Sequence, residues 1–192
     1  MHAIASEHES LVESLRTAFE DETNAQARYA AFAEKADGEG WHGVASLFRA
    51  IGRAEQIHAA NHGRILHMLE AHAEFTAQEP EVKTTLENAR AALAGELFEI
   101  DTLYPAFLEE ARRARDVALV RTFTWAMQSE KTHARLINEA IALLEIDDEE
   151  TWVTMARDFF VCPVCGHTSE QRDEAPMCPA CLCAWSRFEQ CS

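Results

Sequence analysis

No cysteine occurs before residue 162; all six stand at 162, 165, 178, 181, 183 and 191 of a 192-residue chain. A disulfide-stapled secreted domain would spread its cysteines more evenly. An export signal is missing too: the N-terminal MHAIASEHESLVES has neither a basic n-region nor an apolar core, so no ordinary signal peptide is expected. No uninterrupted apolar run of about 18 residues occurs, so no membrane span is expected. Positive charge is also scarce, with 17 Lys and Arg against 33 Asp and Glu and a formal charge of −16. That balance argues against a nucleic-acid partner, which needs basic patches. These absences together point to the cytoplasm.

What is present is helical periodicity over most of the chain. Leu11, Leu15, Ala18, Phe19, Ala25, Tyr29, Phe32 and Ala33 recur at threes and fours, predicting a helix from about Glu7 to Ala36. Asp37-Gly38-Glu39-Gly40 stops it. Further helices are predicted from Trp41 to about Ala73, Val82 to about Arg112, and Arg115 to about Leu144. Two connections are short and the one containing Pro80 is long. One long crossover between two antiparallel hairpins is the pattern of a ferritin-like four-helix bundle. The expected organisation is a bundle over 1–147, a linker helix over 148–160 that Asp147 and Asp148 open, and a small Cys-rich domain over 161–192.

Inside the bundle region the pentads AEQIH and SEKTH each place a glutamate three residues before a histidine, a spacing that shares one helix face. Glu22 precedes Glu55 by 33 residues and Glu96 precedes Glu130 by 34, so the region reads as a duplicated helical hairpin. Each half supplies a lone glutamate and a Glu-x-x-His pair. A single Glu-x-x-His is ordinarily a solvated glutamate beside an unrelated histidine; two copies with matched glutamates on the alternate helices are not. Glu22, Glu55, Glu96, Glu99 and Glu130 with His58 and His133 would bring five carboxylates and two imidazoles to one axis. Empty, they would repel and bear a large desolvation cost. Two divalent ions nearly neutralise them. Carboxylates with one imidazole per ion suit iron or manganese, held about 3.5–4 Å apart by bridging glutamates. Tyr29 and Tyr104 would either bond a ligand carboxylate or fill the core. His62, His67 and His72 are expected on the bundle surface.

The tail CPVCGHTSEQRDEAPMCPAC carries two Cys-x-x-Cys knuckles, which would join Cys162, Cys165, Cys178 and Cys181 in a tetrahedral site for iron or zinc. Proline directly after a cysteine in both knuckles leans towards iron. Cys183 and Cys191 fall outside this spacing and are expected to be free thiols.

FEDETNAQARY around Glu22, AEQIH, GELFEIDTLYP around Glu96 and Glu99, SEKTH and the four-cysteine tail together resemble the rubrerythrin family, over essentially the whole chain. The resemblance implies a non-haem di-iron site in a ferritin-like bundle that reduces hydrogen peroxide to water. It implies a rubredoxin-like iron on the four cysteines, delivering electrons that come from NAD(P)H through a separate reductase or a rubredoxin. By resemblance Glu22, Glu55, His58, Glu96, Glu99, Glu130 and His133 are the ligands and catalytic residues, Glu55 and Glu130 bridge, and His58 and Glu99 alternate on one iron. Here Asp21 and Thr23 flank Glu22 where the more familiar members have small Gly and Ser. A ferroxidase or iron-storage protein using O2, and a non-catalytic iron-binding module with a zinc knuckle, are the alternatives. A homodimer is expected, with the four-cysteine centre at the far end of one subunit approaching its partner's site; the sequence leaves swapped and unswapped forms open.

Overall fold

The computed structural model describes residues 2–71, 75, 78–146, 152–170 and 176–192. Helix α1 (His2–Gly38) turns through Gly40, at φ +87°, into α2 (His42–Met68). Glycine takes this left-handed conformation without the steric penalty a side chain brings. Helix α3 (Thr85–Phe98) starts on a reciprocal capping box: the Thr84 hydroxyl accepts from the Glu87 amide and the Glu87 carboxylate accepts from the Thr84 amide. Glu39, in the first turn, also accepts from the amide and hydroxyl of Thr85 at 2.8 and 2.7 Å, tying the two hairpins together. A π-helical turn, Glu99–Leu103, joins α3 to α4 (Tyr104–Arg113), and Asp116 caps α5 (Val117–Glu145) by accepting from the Ala118 and Leu119 amides.

The ferritin-like bundle expected from the periodicity is present, with two differences in its elements. The second helix ends at Met68, short of Ala73, and the third contains a π turn that hydrophobic spacing does not announce. The third hairpin element is thus one continuous rod, α3–π–α4, packed on α5, while α1 packs on α2.

The apolar core falls into two parts. One is built on Tyr29, Phe32, Phe48, Ile51 and Ile137, the other on Leu15, Tyr104, Leu108, Leu119 and Phe123. Between them lies a band of buried carboxylates and imidazoles.

After α5 the chain reverses. Residues 147–151 of the expected linker helix, including Asp147 and Asp148, lie outside the described residues; the part that follows is a single 3-10 turn, Trp152–Thr154, and then extended chain. This turn lies against the start of α2, where a Cβ on Gly43 would collide with the Trp152 carbonyl. Val153 and Phe159 are fully buried in the first core, and the Arg157 guanidinium stacks over Trp152 and Phe159. The chain therefore returns along α2 towards the middle of the bundle. There β1 (Phe159–Val161) forms the centre of a three-stranded antiparallel sheet, with β2 (Thr168–Ser169) on one edge and β3 (Glu189–Cys191) on the other.

Candidate metal centre

Six of the seven expected bundle ligands meet in the buried band. Ligand atoms of Glu22, Glu55, His58 and Glu130 lie within 4.8 Å of one another, and so do those of Glu55, Glu96, Glu130 and His133. Glu55 and Glu130 belong to both groups, so the arrangement is two overlapping four-residue cages with a shared wall. Helical i,i+3 spacing produces each Glu–His pair, with His58 Nδ1 2.8 Å from Glu55 and His133 Nδ1 2.7 Å from Glu130. Glu99 is buried on the π turn but belongs to neither cage.

Hydrogen-bond accounting shows which imidazole nitrogen faces inwards free. His58 Nε2 lies 3.1 Å from the Cys165 carbonyl, an acceptor only, so Nε2 carries the proton. The Ser129 and Thr168 hydroxyls both donate to the Gly166 carbonyl, which leaves their oxygens to accept from His133 Nε2 at 3.2 and 3.1 Å. In both rings Nδ1 therefore points at the carboxylates. A second partner that fixes the tautomer of a metal-binding histidine is a common device.

Each tyrosine reaches across the duplication: Tyr29 donates to Glu96 and Tyr104 donates to Glu22. Tyr29 follows Glu22 by seven residues whereas Tyr104 follows Glu96 by eight. The π turn absorbs the additional residue and returns Tyr104 to the position Tyr29 holds in the first half. Both readings the sequence left for these tyrosines are observed: the rings fill the two cores and the hydroxyls bond the carboxylates.

The electrostatics are those of a cation site. Burial, and then the Glu55 charge, holds Glu22 well above the carboxylate range; burial and Glu130 push Glu96 up to about 8; burial and Glu22 hold Glu99 high. Burial works against charged imidazoles, yet Glu130 and Glu22 raise His58, and Glu130 and Glu96 raise His133. Glu55 moves the other way, since the two histidines overcome its burial and draw it down. Glu22 Oε2, Glu96 Oε2, both Glu130 oxygens and His133 Nδ1 are buried with no hydrogen-bond partner. Such orphaned polar atoms are rare in proteins, and all of them face the two cages. The donor set fits two hard divalent cations.

The second centre is equally compact. The sulfurs of Cys162, Cys165, Cys178 and Cys181 lie within 4.8 Å of one another, the closest pairs at 3.5 and 3.6 Å. Bonds from Cys162 and Cys165 pull Cys178 towards thiolate, and bonds with Cys162 and Cys178 hold Cys165 as thiol. Four sulfurs at this spacing fit a tetrahedral metal.

Comparison with known proteins places this pair of centres. Residues 13–141 match the family model described as Rubrerythrin. The chain belongs to the rubrerythrin family. It is 34% identical to Rubrerythrin-2 of Clostridium acetobutylicum over 167 residues, covering 85% of this chain and 89% of that one. It is 30% identical to nigerythrin of Nitratidesulfovibrio vulgaris, covering 88% and 82%. The solved structure of fully reduced, all-ferrous nigerythrin superposes with a TM-score of 0.82 at 28% identity, over 94% of this chain and 86% of that one. Bacterioferritin of Mycobacterium tuberculosis, at 18% identity and a TM-score of 0.67, shares the bundle fold. As a rubrerythrin, the chain has a di-iron carboxylate site in the bundle and a four-cysteine site for one iron.

Where this rubrerythrin departs from expectation is in how its two centres meet. The four-cysteine lobe does not lie at the far end of the bundle; it sits on the di-iron cages of its own chain, because the segment after α5 doubles back along α2. Cys165 is both a cluster cysteine and the residue whose carbonyl takes the His58 proton. Around it Asn61 donates to the Val164 carbonyl at 2.9 Å, Arg53 forks onto Glu189 at 2.7 and 3.0 Å, and Arg135 reaches Glu170 at 2.9 Å.

One histidine departs from its expected surface position. His67 is exposed as expected and His72 lies outside the described residues, but His62 is fully buried. Position i+4 from His58 places it on the inward face, and burial holds it neutral, with its pKa down at about 3. Cys183 is buried beside the four cysteines without joining them, and Cys191 lies in β3. Thr23 turns its hydroxyl back to the Phe19 carbonyl, leaving Glu22 free to face inwards. Thr168 and the Cys165 and Gly166 carbonyls had no motif to reveal them, since His133, His58 and Ser129 lie tens of residues away; Ser129 opens the SEKTH pentad one helical turn before His133, and that spacing was the available signal.

Two tests follow from this geometry. Without metal, Glu22, Glu96 and Glu99 keep protons that the unfolded chain releases in the ordinary carboxylate range, near about 4.3. Their contribution to stability is complete below that range and is lost as pH rises, for Glu96 through about 8. The raised histidines act in the same direction, and Glu55 only at lower pH. The thermal midpoint of the metal-free protein should therefore fall between about pH 5 and pH 8. The metal-loaded protein should stay flat across that window, and a metal-free midpoint that rises would contradict the assignment. Secondly, Gly166 has φ +78° and a Cβ there would strike the His58 ring. Gly166→Ala should cost about 1–3 kcal/mol of stability, read as a lower thermal midpoint; an unchanged midpoint would contradict the contact.

Proposed function

We propose that this rubrerythrin is a non-haem di-iron peroxidase that reduces hydrogen peroxide to water in cytoplasmic oxidative-stress defence. Its electrons start at NAD(P)H and enter at the four-cysteine iron through a separate reductase or a rubredoxin. The observation that carries this reading is the hydrogen bond from His58 to the Cys165 carbonyl. One residue of the sulfur cluster is thereby joined, through one hydrogen bond and one imidazole ring, to the carboxylate cages.

In this reading Glu22 and His58 would hold an iron in one cage and Glu96 and His133 one in the other, with Glu55 and Glu130 available to both. Bound iron would supply two one-electron donors to the O–O bond. The chain's own contributions are separate from that. Nearly complete burial of the six cage side chains excludes bulk water. Cys165, Ser129 and Thr168 each engage an Nε2, so that both Nδ1 atoms face the carboxylate cages. Tyr29 and Tyr104 each occupy one glutamate oxygen with a hydrogen bond. Glu99, buried and outside both cages, would offer a further hard oxygen donor beside His58, of the kind a ferric ion prefers.

The ferroxidase reading uses the same bundle but gives no role to an electron-entry lobe seated on the cages. A zinc-filled tail would likewise remove that role. The homodimer is part of this proposal: Leu97 and Phe98 of α3 are 44% and 53% exposed, an apolar strip a second subunit would cover.

Anaerobically reduced protein, which in this reading holds three ferrous irons per chain, should reoxidise at both centres with excess peroxide, and faster than with O2. Glu130→Ala should abolish di-iron loading and peroxide turnover and keep the four-cysteine chromophore; normal turnover in that variant rules out the ligand assignment. Zinc in the four-cysteine site of protein from iron-replete cells would exclude the relay. Sedimentation at the monomer mass would exclude the dimer.

A further inference from the structure

The duplication relates position n of α2 to n+75 of α5: Glu55 to Glu130, His58 to His133, and Phe48 to Phe123. It holds in space as well as in sequence. Phe48 lies 5.8 Å from the Tyr29 ring and Phe123 lies 6.1 Å from the Tyr104 ring. Against this symmetry one pair of positions stands out. His62 and Thr122 are both buried on the Tyr104 side. Their counterparts on the Tyr29 side are Ile137 and Leu47, both fully buried in the first core. The same architectural position is thus filled once by an apolar pair and once by a polar pair. The bundle does not need the polar version to fold, and buried polar groups are costly unless hydrogen-bonded.

His62 and Thr122 are bonded, and the bonds lead to the cage. Tyr104 gives its one hydroxyl proton to Glu22. The contact of His62 Nε2 with the Tyr104 oxygen at 3.4 Å is therefore one in which the ring donates. Its Nδ1, the remaining acceptor of the neutral ring, lies 3.1 Å from the Thr122 hydroxyl. Phe123 packs on the ring at 5.5 Å and holds its plane. The result is a one-way chain, Thr122 to His62 to Tyr104 to Glu22, with Nε2 also 3.9 Å from the Glu22 oxygen. Donors in series polarise one another, so Tyr104 is a stronger and more tightly oriented donor than Tyr29. Glu99 adds to the same asymmetry: its counterpart in the first half is Ala25.

We infer that His62 and Thr122 are positioning residues for the Glu22 cage: through Tyr104 they fix one Glu22 oxygen and make the two metal positions of the bundle inequivalent. The inference rests on Glu22 being a ligand. The polar pair restrains Glu22 while leaving His58 and Glu99, on the same side, free to differ between states. The Glu96 cage, backed by Ile137 and Leu47, lacks this restraint.

The test uses the full-length chain loaded with Mössbauer-active iron and oxidised, with metal content and thermal midpoint measured alongside. The wild type should show two distinct quadrupole doublets of equal area for the bundle irons, besides the signal of the four-cysteine iron. The double variant His62→Ile with Thr122→Leu copies the apolar pair of the other half. It should bind the same amount of iron, melt no lower than the wild type, and move one doublet towards the other. His62→Gln, whose amide can both donate and accept, should keep the wild-type spectrum. Tyr104→Phe should shift the same doublet, and adding His62→Leu to it should shift nothing further. If the double variant does not fold, Thr122→Val carries the test, with a smaller shift of the same doublet. A folded, fully loaded double variant with an unmoved spectrum, or a Tyr104→Phe effect additive with that of His62, overturns the inference. A wild-type chain that takes up no pair of irons overturns the ligand reading beneath it, and the two failures are told apart by metal content.

Discussion

Five carboxylates and two imidazoles share a dry volume at the centre of the bundle, and this concentration of charge is the constraint that organises the rest. Left to themselves Glu22, Glu96 and Glu99 hold protons they would lose in water, and several of the glutamate oxygens have no partner. A protein core is normally stabilised by excluding such groups. Here two apolar cores, one on Tyr29, Phe48 and Ile137 and the other on Tyr104, Leu108 and Phe123, clamp the polar band from both sides. Their burial energy holds the carboxylates close together, and cations convert the repulsion into binding. The helix pairs are scaffolding for that clamp.

The second organising contact is backbone rather than side chain. The four-cysteine lobe meets the cages through the carbonyls of Val164, Cys165 and Gly166, which accept from Asn61, His58 and Ser129. Carbonyls are suited to this because they only accept, so they dictate the proton position on the imidazole they touch. The close approach requires a residue without a Cβ at 166, and the left-handed turn there requires glycine independently. Ion pairs at the edge, Arg53 with Glu189 and Arg135 with Glu170, are partly exposed and orient the lobe more than they stabilise it.

A duplicated hairpin gives near-twofold symmetry, and the departures from it are informative because each has a control built into the same chain. The π turn is a departure that restores symmetry, bringing Tyr104 into the place Tyr29 occupies. Glu99 against Ala25, and His62 with Thr122 against Ile137 with Leu47, are departures that break it, and they fall on the same cage. Equal ligand sets surrounded by unequal neighbours are a simple way for two chemically similar metal positions to behave differently.

The four-helix bundle, the two Glu–His pairs that meet in its core and the cysteine knuckles were legible in the amino-acid sequence because each depends on local spacing. Glu-x-x-His shares a face of any helix, Cys-x-x-Cys brings two sulfurs together in any knuckle, and apolar residues at threes and fours mark a buried stripe. The π turn was not legible, since Glu99–Leu103 differs from an ordinary helical turn only in which carbonyl each amide reaches. Nor was the burial of His62, whose fate depends on Tyr104 and Thr122 from two other helices. The seat of the four-cysteine lobe on its own chain's cages was settled by long-range packing of Trp152, Val153 and Phe159 on α2. Sequence alone determined which residues can bind metal; tertiary structure decided which nitrogen faces it, what touches it from behind, and how the two centres are joined, because those depend on residues far apart in the chain.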